Sequence, residues 1–184
     1  MKKISRSVWP NLITLSNLTL GMAAILIVST PSSSGDMMFI ASFLVALAAV
    51  TDRFDGKVAR HLDAVSELGK ELDSLADLVS FGIAPVVIAW RLGLVTLGWI
   101  GIIVCVIYPL CGAFRLARFN STDFNDVFTG MPITIAGALM AMINILNSFL
   151  LTREKISPLN GILTAIATLI LSYLMICRFK IRKR

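Results

Sequence analysis

The sequence has few cysteines and one histidine, so it offers little from which disulfide-linked or histidine-based sites are built. It contains three cysteines, an odd number, and all three lie in apolar segments, so a disulfide framework is not expected. We expect the one histidine, His61, to be a solvated interface residue rather than a catalyst. The basic residues stand at the ends of apolar segments and not along one soluble face, which argues against nucleic acid as a partner.

Apolar residues dominate the composition instead. They make up 57% of the 184 residues, and the mean hydropathy is +0.83, whereas a soluble domain is about 45–50% apolar. Long apolar runs separated by short polar breaks indicate a multi-pass membrane protein, and the runs must be helical because lipid cannot satisfy unpaired backbone groups. We predict one all-α domain over residues 1–184 with six transmembrane helices, at about 12–30, 37–60, 69–92, 96–117, 130–151 and 158–177.

The two ends of the chain are polar and basic. The first apolar run is too long for the core of a signal peptide and lacks a convincing cleavage site, so it is interpreted as a membrane helix. Residues 1–11 are predicted to form an interfacial lead-in, with apolar side chains facing lipid and cations facing headgroups. The basic tail, residues 178–184, is predicted to bind anionic lipid.

The distribution of cations predicts the orientation in the cell membrane. With six spans, both termini lie on one side, and that side carries fourteen lysines and arginines against three on the other. Under the positive-inside rule, the termini are cytoplasmic. The fourteen are Lys2, Lys3, Arg6, Arg53, Lys57, Arg60, Lys70, Arg115, Arg118, Arg178, Lys180, Arg182, Lys183 and Arg184; the three are Arg91, Arg153 and Lys155.

Four aspartates adjoin the second and third apolar runs. Asp52 and Asp55 are three residues apart, and Asp73 and Asp77 are four apart, so each pair shares one face of a helix. Counting about 1.5 Å per residue from the outer ends of the two spans places both pairs at one depth, near the inner edge of the hydrocarbon core. Carboxylates cost about 2.5–3.5 kcal/mol each at mid-bilayer and repel one another, so a divalent metal is the simplest compensation.

The residues around these aspartates suit a phosphate ligand. Gly56 and Ala59 follow the first pair by one helical turn, and Gly69 precedes the second pair by one turn, which leaves a groove along the acidic faces. Arg60 stands beside the groove as a phosphate partner, and Ser66 in the following loop offers a hydroxyl. Carboxylates, small residues, a guanidinium and a hydroxyl together favour a metal-bridged diphosphate.

The same residues resemble the signature of the CDP-alcohol phosphotransferases at every defined position. Further segments, at 77–85, 111–120 and 130–132, resemble the integral-membrane branch that makes phosphatidylserine, and the resemblance covers nearly the whole chain. It implies six helices, a cytoplasmic-facing site and a homodimer. The signature in this sequence is Asp52-x2-Asp55-Gly56-x2-Ala59-Arg60-x8-Gly69-x3-Asp73-x3-Asp77.

The resemblance also implies a reaction and a set of residue roles. The phosphatidyl group of CDP-diacylglycerol passes to the hydroxyl of L-serine and CMP is released, with Mg²⁺ or Mn²⁺, two ions, at the carboxylates. Asp77 is the general base and also touches metal. The metal ligands are Asp52, Asp55, Asp73 and Asp77, and the residues of the CDP-lipid site are Asn11, Thr14, Gly56, Ala59, Arg60, Ser66 and Gly69.

The acceptor site is predicted at the inner end of the fourth span. Arg115 and Arg118 are three residues apart and could bind the serine carboxylate, with Asn120 beside them; equally, both arginines could be interface cations that reach toward headgroups. Asn144 and Asn147 lie too near the outer end of the fifth span to reach the carboxylates, so we expect interhelical hydrogen bonds from them.

Two alternative functions stay open at the level of sequence. One is the same chemistry with a phosphorylated acceptor, glycerol 3-phosphate or inositol phosphate, for which Arg115 and Arg118 would supply cations. The other is a cation transporter in which the acidic ring is a permeation site, although no charged path continues to the opposite side. Metal-dependent release of CMP separates enzyme from transporter.

Overall fold

The structure is a computed structural model, and it describes residues 2–31, 34–61, 67–121, 128–153, 157–177 and 180–181. In residues 2–10, 54–61, 128–129 and 180–181 the description covers the backbone alone. The described chain is a bundle of helices, as predicted. The helices are α1 (Lys2–Ser29), α2 (Gly35–His61), α3 (Glu67–Asp77), α4 (Ala84–Leu92), α5 (Trp99–Ser121), α6 (Ile133–Thr152) and α7 (Pro158–Ile176).

Six membrane-spanning segments are present among the described residues, in agreement with the prediction. The third of them is composite, because α3 and α4 are joined without a break by a π-helical turn, Leu78–Ile83. Large apolar side chains remain exposed around the bundle, as expected for a surface that faces lipid. The protein is therefore a multi-pass membrane protein.

The largest differences from the predicted boundaries are in the fourth and fifth spans and at the lead-in, and the fourth span ends at Ser121 rather than 117. The fourth span begins at Trp99 rather than 96, because a 3-10 helix, Leu94–Leu97, and Gly98 in a left-handed conformation (φ 57°) precede it. The fifth begins at Ile133 rather than 130, since Pro132 disfavours helical geometry in the residue before it. No boundary separates the predicted lead-in from the first span: α1 is continuous from Lys2, so its backbone does not support a separate N-terminal element.

The composite third span lies at the centre of the bundle. Helix α1 contacts α3, α4 and the π-helical turn of this span, and α5 contacts α4 and the same turn. Helix α6 packs against α4 and the turn, and α2 packs between α1 and α6. Gly21 of α1 approaches the π-helical turn closely: a Cβ at this position would lie 2.8 Å from the Cα of Ser80. A glycine is therefore required for α1 to meet the π-helical turn at this distance.

Polar side chains join helices away from the acidic residues. Asn144 of α6 donates to the carbonyl of Pro85 at 2.7 Å, and Asn147 donates to the hydroxyl of Thr164 in α7 at 2.9 Å. Both contacts confirm the interhelical hydrogen bonds expected from the sequence. At the other end of the bundle, a two-residue strand, β1 (Phe128–Thr129), pairs antiparallel with β2 (Lys180–Ile181), which ties the segment before α6 to the C-terminal end.

Candidate active site

Three aspartates from two helices meet at one end of the bundle. Asp52 comes from α2, and Asp73 and Asp77 come from α3; one carboxylate oxygen from each lies within 4.8 Å of the others. The common depth predicted by counting residues is therefore found for these three. The side chain of Asp55, the fourth predicted ligand, lies outside the described residues.

Local structure explains how α3 presents both of its aspartates. Asp73 and Asp77 are four residues apart in a regular α-helix, so their side chains point from the same face. The π-helical turn begins at the next residue, Leu78, and changes the helical phase for everything that follows. Such turns are frequent at functional sites, because they re-aim side chains without ending a helix. Asp77 is buried at 8% exposure, whereas Asp52 and Asp73 are half-buried.

Asp52 is held by neighbours from two other elements. Thr134 of α6 donates its hydroxyl to Oδ2 of Asp52 at 3.1 Å. The carboxylates of Asp73 and Asp77 each offer an oxygen within 4.8 Å of one from Asp52. The orientation of Asp52 is thus fixed by α6 on one side and by the α3 aspartates on the other.

The donor set fits a divalent cation. Three carboxylates, each able to offer an oxygen and all within 4.8 Å, are the hard ligands that Mg²⁺ and Mn²⁺ prefer. Burial in a membrane bundle makes three adjacent negative charges costly unless a cation balances them. The charge of Arg115, from α5, interacts with that of Asp77 and offsets part of this cost.

The predicted CDP-lipid residues are described in part. Asn11 is half-buried and Thr14 is buried, both on α1, and Gly69 is half-buried on α3 below Asp73. These residues thus belong to two helices that pack against each other, one of which carries Asp73 and Asp77. Gly56, Ala59 and Arg60 belong to α2, but their side chains lie outside the described residues, as does Ser66 altogether.

The three predicted acceptor residues have different surroundings. Arg115 is half-buried, its charge interacts with that of Asp77, and no hydrogen-bond partner of its Nε is found among the described residues. Arg118 is also half-buried and donates to the carbonyl of Ile176 in α7 at 3.3 Å. Asn120 donates to Ser74 Oγ of α3 at 2.9 Å and to Glu71 at 3.4 Å. The charge interaction with Asp77 links Arg115 to the carboxylate cluster.

The sequence reasoning missed Asn17. It lies three residues after Thr14, is fully buried, and neither its Oδ1 nor its Nδ2 has a hydrogen-bond partner among the described residues. Leaving a buried polar group unpaired costs about 1–3 kcal/mol, so such a group needs an explanation. The spacing of residues in α1 could have revealed the burial of Asn17, because buried residues recur in this helix every three or four positions. They are Thr14, Asn17, Gly21, Ala24 and Val28.

Comparisons with known proteins agree with this geometry. The CDP-alcohol phosphatidyltransferase family model matches residues 7–176. A Bacillus subtilis protein named CDP-diacylglycerol--serine O-phosphatidyltransferase is 39% identical over 174 residues, which cover 93% of this chain and 88% of that protein. Proteins of the same name from Helicobacter pylori (strain 26695) and Methanocaldococcus jannaschii are 38% and 37% identical; each match covers 76% of this chain, and 58% and 62% of the relatives. The chain belongs to the CDP-alcohol phosphatidyltransferase family.

Proposed function

We propose that this protein is a membrane-embedded CDP-diacylglycerol–serine O-phosphatidyltransferase. The observation that carries the proposal is the cluster of Asp52, Asp73 and Asp77, with oxygens within 4.8 Å, in a chain that is similar over most of its length to enzymes of that name. A carboxylate cluster at the end of an apolar bundle suits a lipid substrate whose head is a diphosphate and whose tails stay in the membrane.

The reaction is a displacement at phosphorus. The serine hydroxyl attacks the phosphorus that carries the diacylglycerol, the bond from that phosphorus to the bridging diphosphate oxygen breaks, and CMP leaves. Asp77 takes the hydroxyl proton, because it is the most buried of the three described aspartates. Alignment and charge neutralisation matter more than covalent help in such a transfer, and a rigid helical bundle supplies alignment.

Divalent cations, Mg²⁺ or Mn²⁺ and two in number, are part of this proposal. The residues that would hold them are Asp52, Asp55, Asp73 and Asp77. When bound, the ions would neutralise the charge of the diphosphate and of the leaving CMP. The chain's own contribution is to hold the carboxylates in place, which Thr134 does for Asp52 by its hydrogen bond.

The donor lipid spans the polar site and the membrane. We assign its nucleotide and diphosphate to Asn11, Thr14, Gly69 and the α2 residues Gly56, Ala59 and Arg60, with Ser66. A groove of about 330 Å³ between α2 and α6 begins at Asp52 and Thr134 and continues past Ala138 to Met142. Its polar end lies at the carboxylates and its apolar end faces lipid, so it suits an acyl chain of a head-bound donor.

The acceptor and the setting of the enzyme complete the proposal. Arg115 binds the serine carboxylate beside Asp77, with Arg118 and Asn120 at the rim. The protein lies in the cytoplasmic membrane as a homodimer with both termini and the site on the cytoplasmic side, residues 1–11 at the interface and the tail 178–184 on anionic lipid. Labelling of single cysteines at residues 3 and 183 by a membrane-impermeant reagent tests the orientation: both should react only in inverted vesicles.

The experiment that tests the function is release of CMP by the purified protein. It is given CDP-diacylglycerol with Mg²⁺ or Mn²⁺, and serine, glycerol 3-phosphate or inositol phosphate in separate reactions. Release with serine alone supports the proposal. Release with a phosphorylated acceptor keeps the site but contradicts the substrate, and absence of release with every acceptor, from folded protein with metal, contradicts phosphatidyl transfer and favours the transport alternative.

A further inference from the structure

Asn17 and Arg115 carry buried, unpaired polar atoms, and both are linked to the stretch Asp77–Ser80 of the composite span, Asn17 by the bond from Ser80 to its carbonyl and Arg115 by charge interaction with Asp77. Both side-chain atoms of Asn17 and the Nε of Arg115 are buried, and none of the three has a hydrogen-bond partner among the described residues. Asn17 belongs to α1 and Arg115 to α5, so the two come from different neighbours of the composite third span. Buried polar atoms are nearly always paired, which points to a ligand at this place.

The position of Asn17 relative to Asp77 follows from one hydrogen bond. Ser80 donates its hydroxyl to the backbone carbonyl of Asn17 at 3.0 Å, and Ser80 stands three residues after Asp77 along the composite span. Asn17 is therefore about one turn farther from the polar end of the bundle than Asp77. Asn11 and Thr14, assigned to the donor head, lie on the same face of α1 but nearer that end.

Two other buried asparagines in the bundle each have a side-chain hydrogen bond, unlike Asn17. Asn144 donates to a carbonyl, although its Oδ1 has no partner among the described residues, and Asn147 donates to Thr164 and accepts from Asn160. Helix packing therefore satisfies at least one polar atom of each of these two amides. Asn17 has no comparable contact in the part of the chain that the structure describes, although α2, α3 and α4 all pack against α1.

We propose that Asn17 is a specificity residue for the acceptor: its amide oxygen receives a hydrogen bond from the ammonium group of an α-amino acid. The proposal rests on the function proposed above. Arg115 supplies the positive charge for the carboxylate, Asn17 supplies the neutral acceptor for the amine, and the hydroxyl of the amino acid is left facing Asp77. A phosphorylated acceptor without an amine cannot donate a hydrogen bond to the buried amide of Asn17. Asn17 and Arg115 together therefore select an acceptor that carries both an ammonium group and a carboxylate.

Entry of the acceptor requires a small movement. Asn17 is fully covered in this conformation, so α1 and the π-helical turn have to separate locally before a ligand reaches the amide. The contact that gives way is the hydrogen bond between Ser80 and the Asn17 carbonyl. Once inside, the ammonium–amide contact is shielded from water, which strengthens it and makes its loss costly.

The test measures KM for serine and for CDP-diacylglycerol separately. Asn17→Ala is expected to raise KM for serine at least tenfold while KM for the donor stays within twofold. Ser16→Ala is the matched control, since Ser16 is the preceding residue, is exposed, and bonds only to its own helix at Leu12. If Asn17→Ala does not give folded protein, Asn17→Ser takes its place, with the same expectation in direction.

Two analogues of serine, used as inhibitors of serine-dependent CMP release, separate the two contacts. Ethanolamine keeps the amine and lacks the carboxylate, and 3-hydroxypropionate keeps the carboxylate and lacks the amine. Asn17→Ala should weaken inhibition by ethanolamine and leave inhibition by 3-hydroxypropionate unchanged, while Arg115→Met should do the reverse.

The possible failures are distinguishable. Wild-type protein that releases no CMP with serine contradicts the proposed function itself. A second outcome is an active wild type and an Asn17→Ala variant whose serine KM is unchanged and whose melting temperature alone is lower. This result overturns the inference, because the amide would then have a structural role such as binding a water. A rise in donor KM equal to that in serine KM overturns it as well, because Asn17 would then belong to the nucleotide site.

Discussion

Thr134 and Asp52 are 82 residues apart in sequence and form a hydrogen bond of 3.1 Å, from the threonine hydroxyl to Oδ2 of the aspartate. The bond connects α6 to the carboxylate cluster. The sequence motif predicts only residues of α2 and α3 in this cluster. A partner that orients a metal-binding carboxylate affects metal affinity even though it touches no metal. Thr134 is thus part of the site through its effect on Asp52.

Replacement of Thr134 by valine tests this relationship. The change keeps the shape of the side chain and removes the hydroxyl, so Asp52 loses its orienting partner. We expect the concentration of Mg²⁺ or Mn²⁺ needed for half-maximal CMP release to rise about tenfold, with maximal activity largely regained at high metal. Ile135→Val, a change at an exposed neighbouring position, is the control. An unchanged metal requirement in Thr134→Val would contradict the role.

Asp77→Asn separates the base from the remaining ligands. The substitution preserves the size of the side chain but cannot accept the hydroxyl proton, so we expect transfer to fall by about 10²–10⁴-fold. Donor binding should change much less; it is measured as the shift in melting temperature with CDP-diacylglycerol and metal. Asp73→Asn is the comparison: both changes remove a proposed metal ligand, but only Asp77→Asn removes the base, so high metal should restore activity to Asp73→Asn more than to Asp77→Asn. Near-normal turnover of Asp77→Asn would rule out the base role.

Asn120 and Ser74 provide a test between two roles for Asn120. Their hydrogen bond of 2.9 Å joins the end of α5, which carries Arg115, to α3, which carries Asp77. If this contact positions the two helices, Asn120→Ala and Ser74→Ala should raise the serine KM by similar factors, and the double variant should be little worse than either single one. The coupling in unfolding free energy should be about 0.5–1.5 kcal/mol.

The result for Ser74→Ala distinguishes the roles of Asn120. A direct contact from Asn120 to serine predicts that Asn120→Ala raises the KM while Ser74→Ala leaves it unchanged. Kinetics of CMP release and thermal unfolding in detergent, measured on the same four proteins, give both quantities.

Gly21→Ala tests the fit of α1 against the π-helical turn. The added Cβ would lie 2.5 Å from Ser80 Oγ and 2.8 Å from Ser80 Cα, so the backbone has to shift. We expect a loss of about 1–3 kcal/mol in stability and reduced kcat, because the displaced turn follows directly after Asp77. Met22→Ala, at an exposed position of the same helix, should lower activity far less. Equal effects of the two changes on kcat would show that the turn does not position Asp77.

The sequence by itself determined the membrane fold and the principal site. Six apolar runs predict six helices, since a chain in lipid has no other way to satisfy its backbone. The spacing of Asp52, Asp73 and Asp77, with a fixed rise per residue, placed the carboxylates at one level, and the structure brings these three together. Both predictions rest on local geometry along single helices, which sequence spacing encodes directly.

Tertiary structure decided which polar residues outside the motif belong to the site. Arg115 and Arg118 are equivalent by sequence, yet packing of α5 against α7 gives Arg118 a carbonyl of α7 as a partner, whereas the charge of Arg115 interacts with that of Asp77. Thr134 and Asn17 belong to no motif, and the bond of Thr134 to Asp52 and the unpaired amide of Asn17 result from the rotation of α6 and α1 against the composite span. Helix rotation is set by the packing of the whole bundle, through close contacts such as that of Gly21 with Ser80, and no local pattern specifies it.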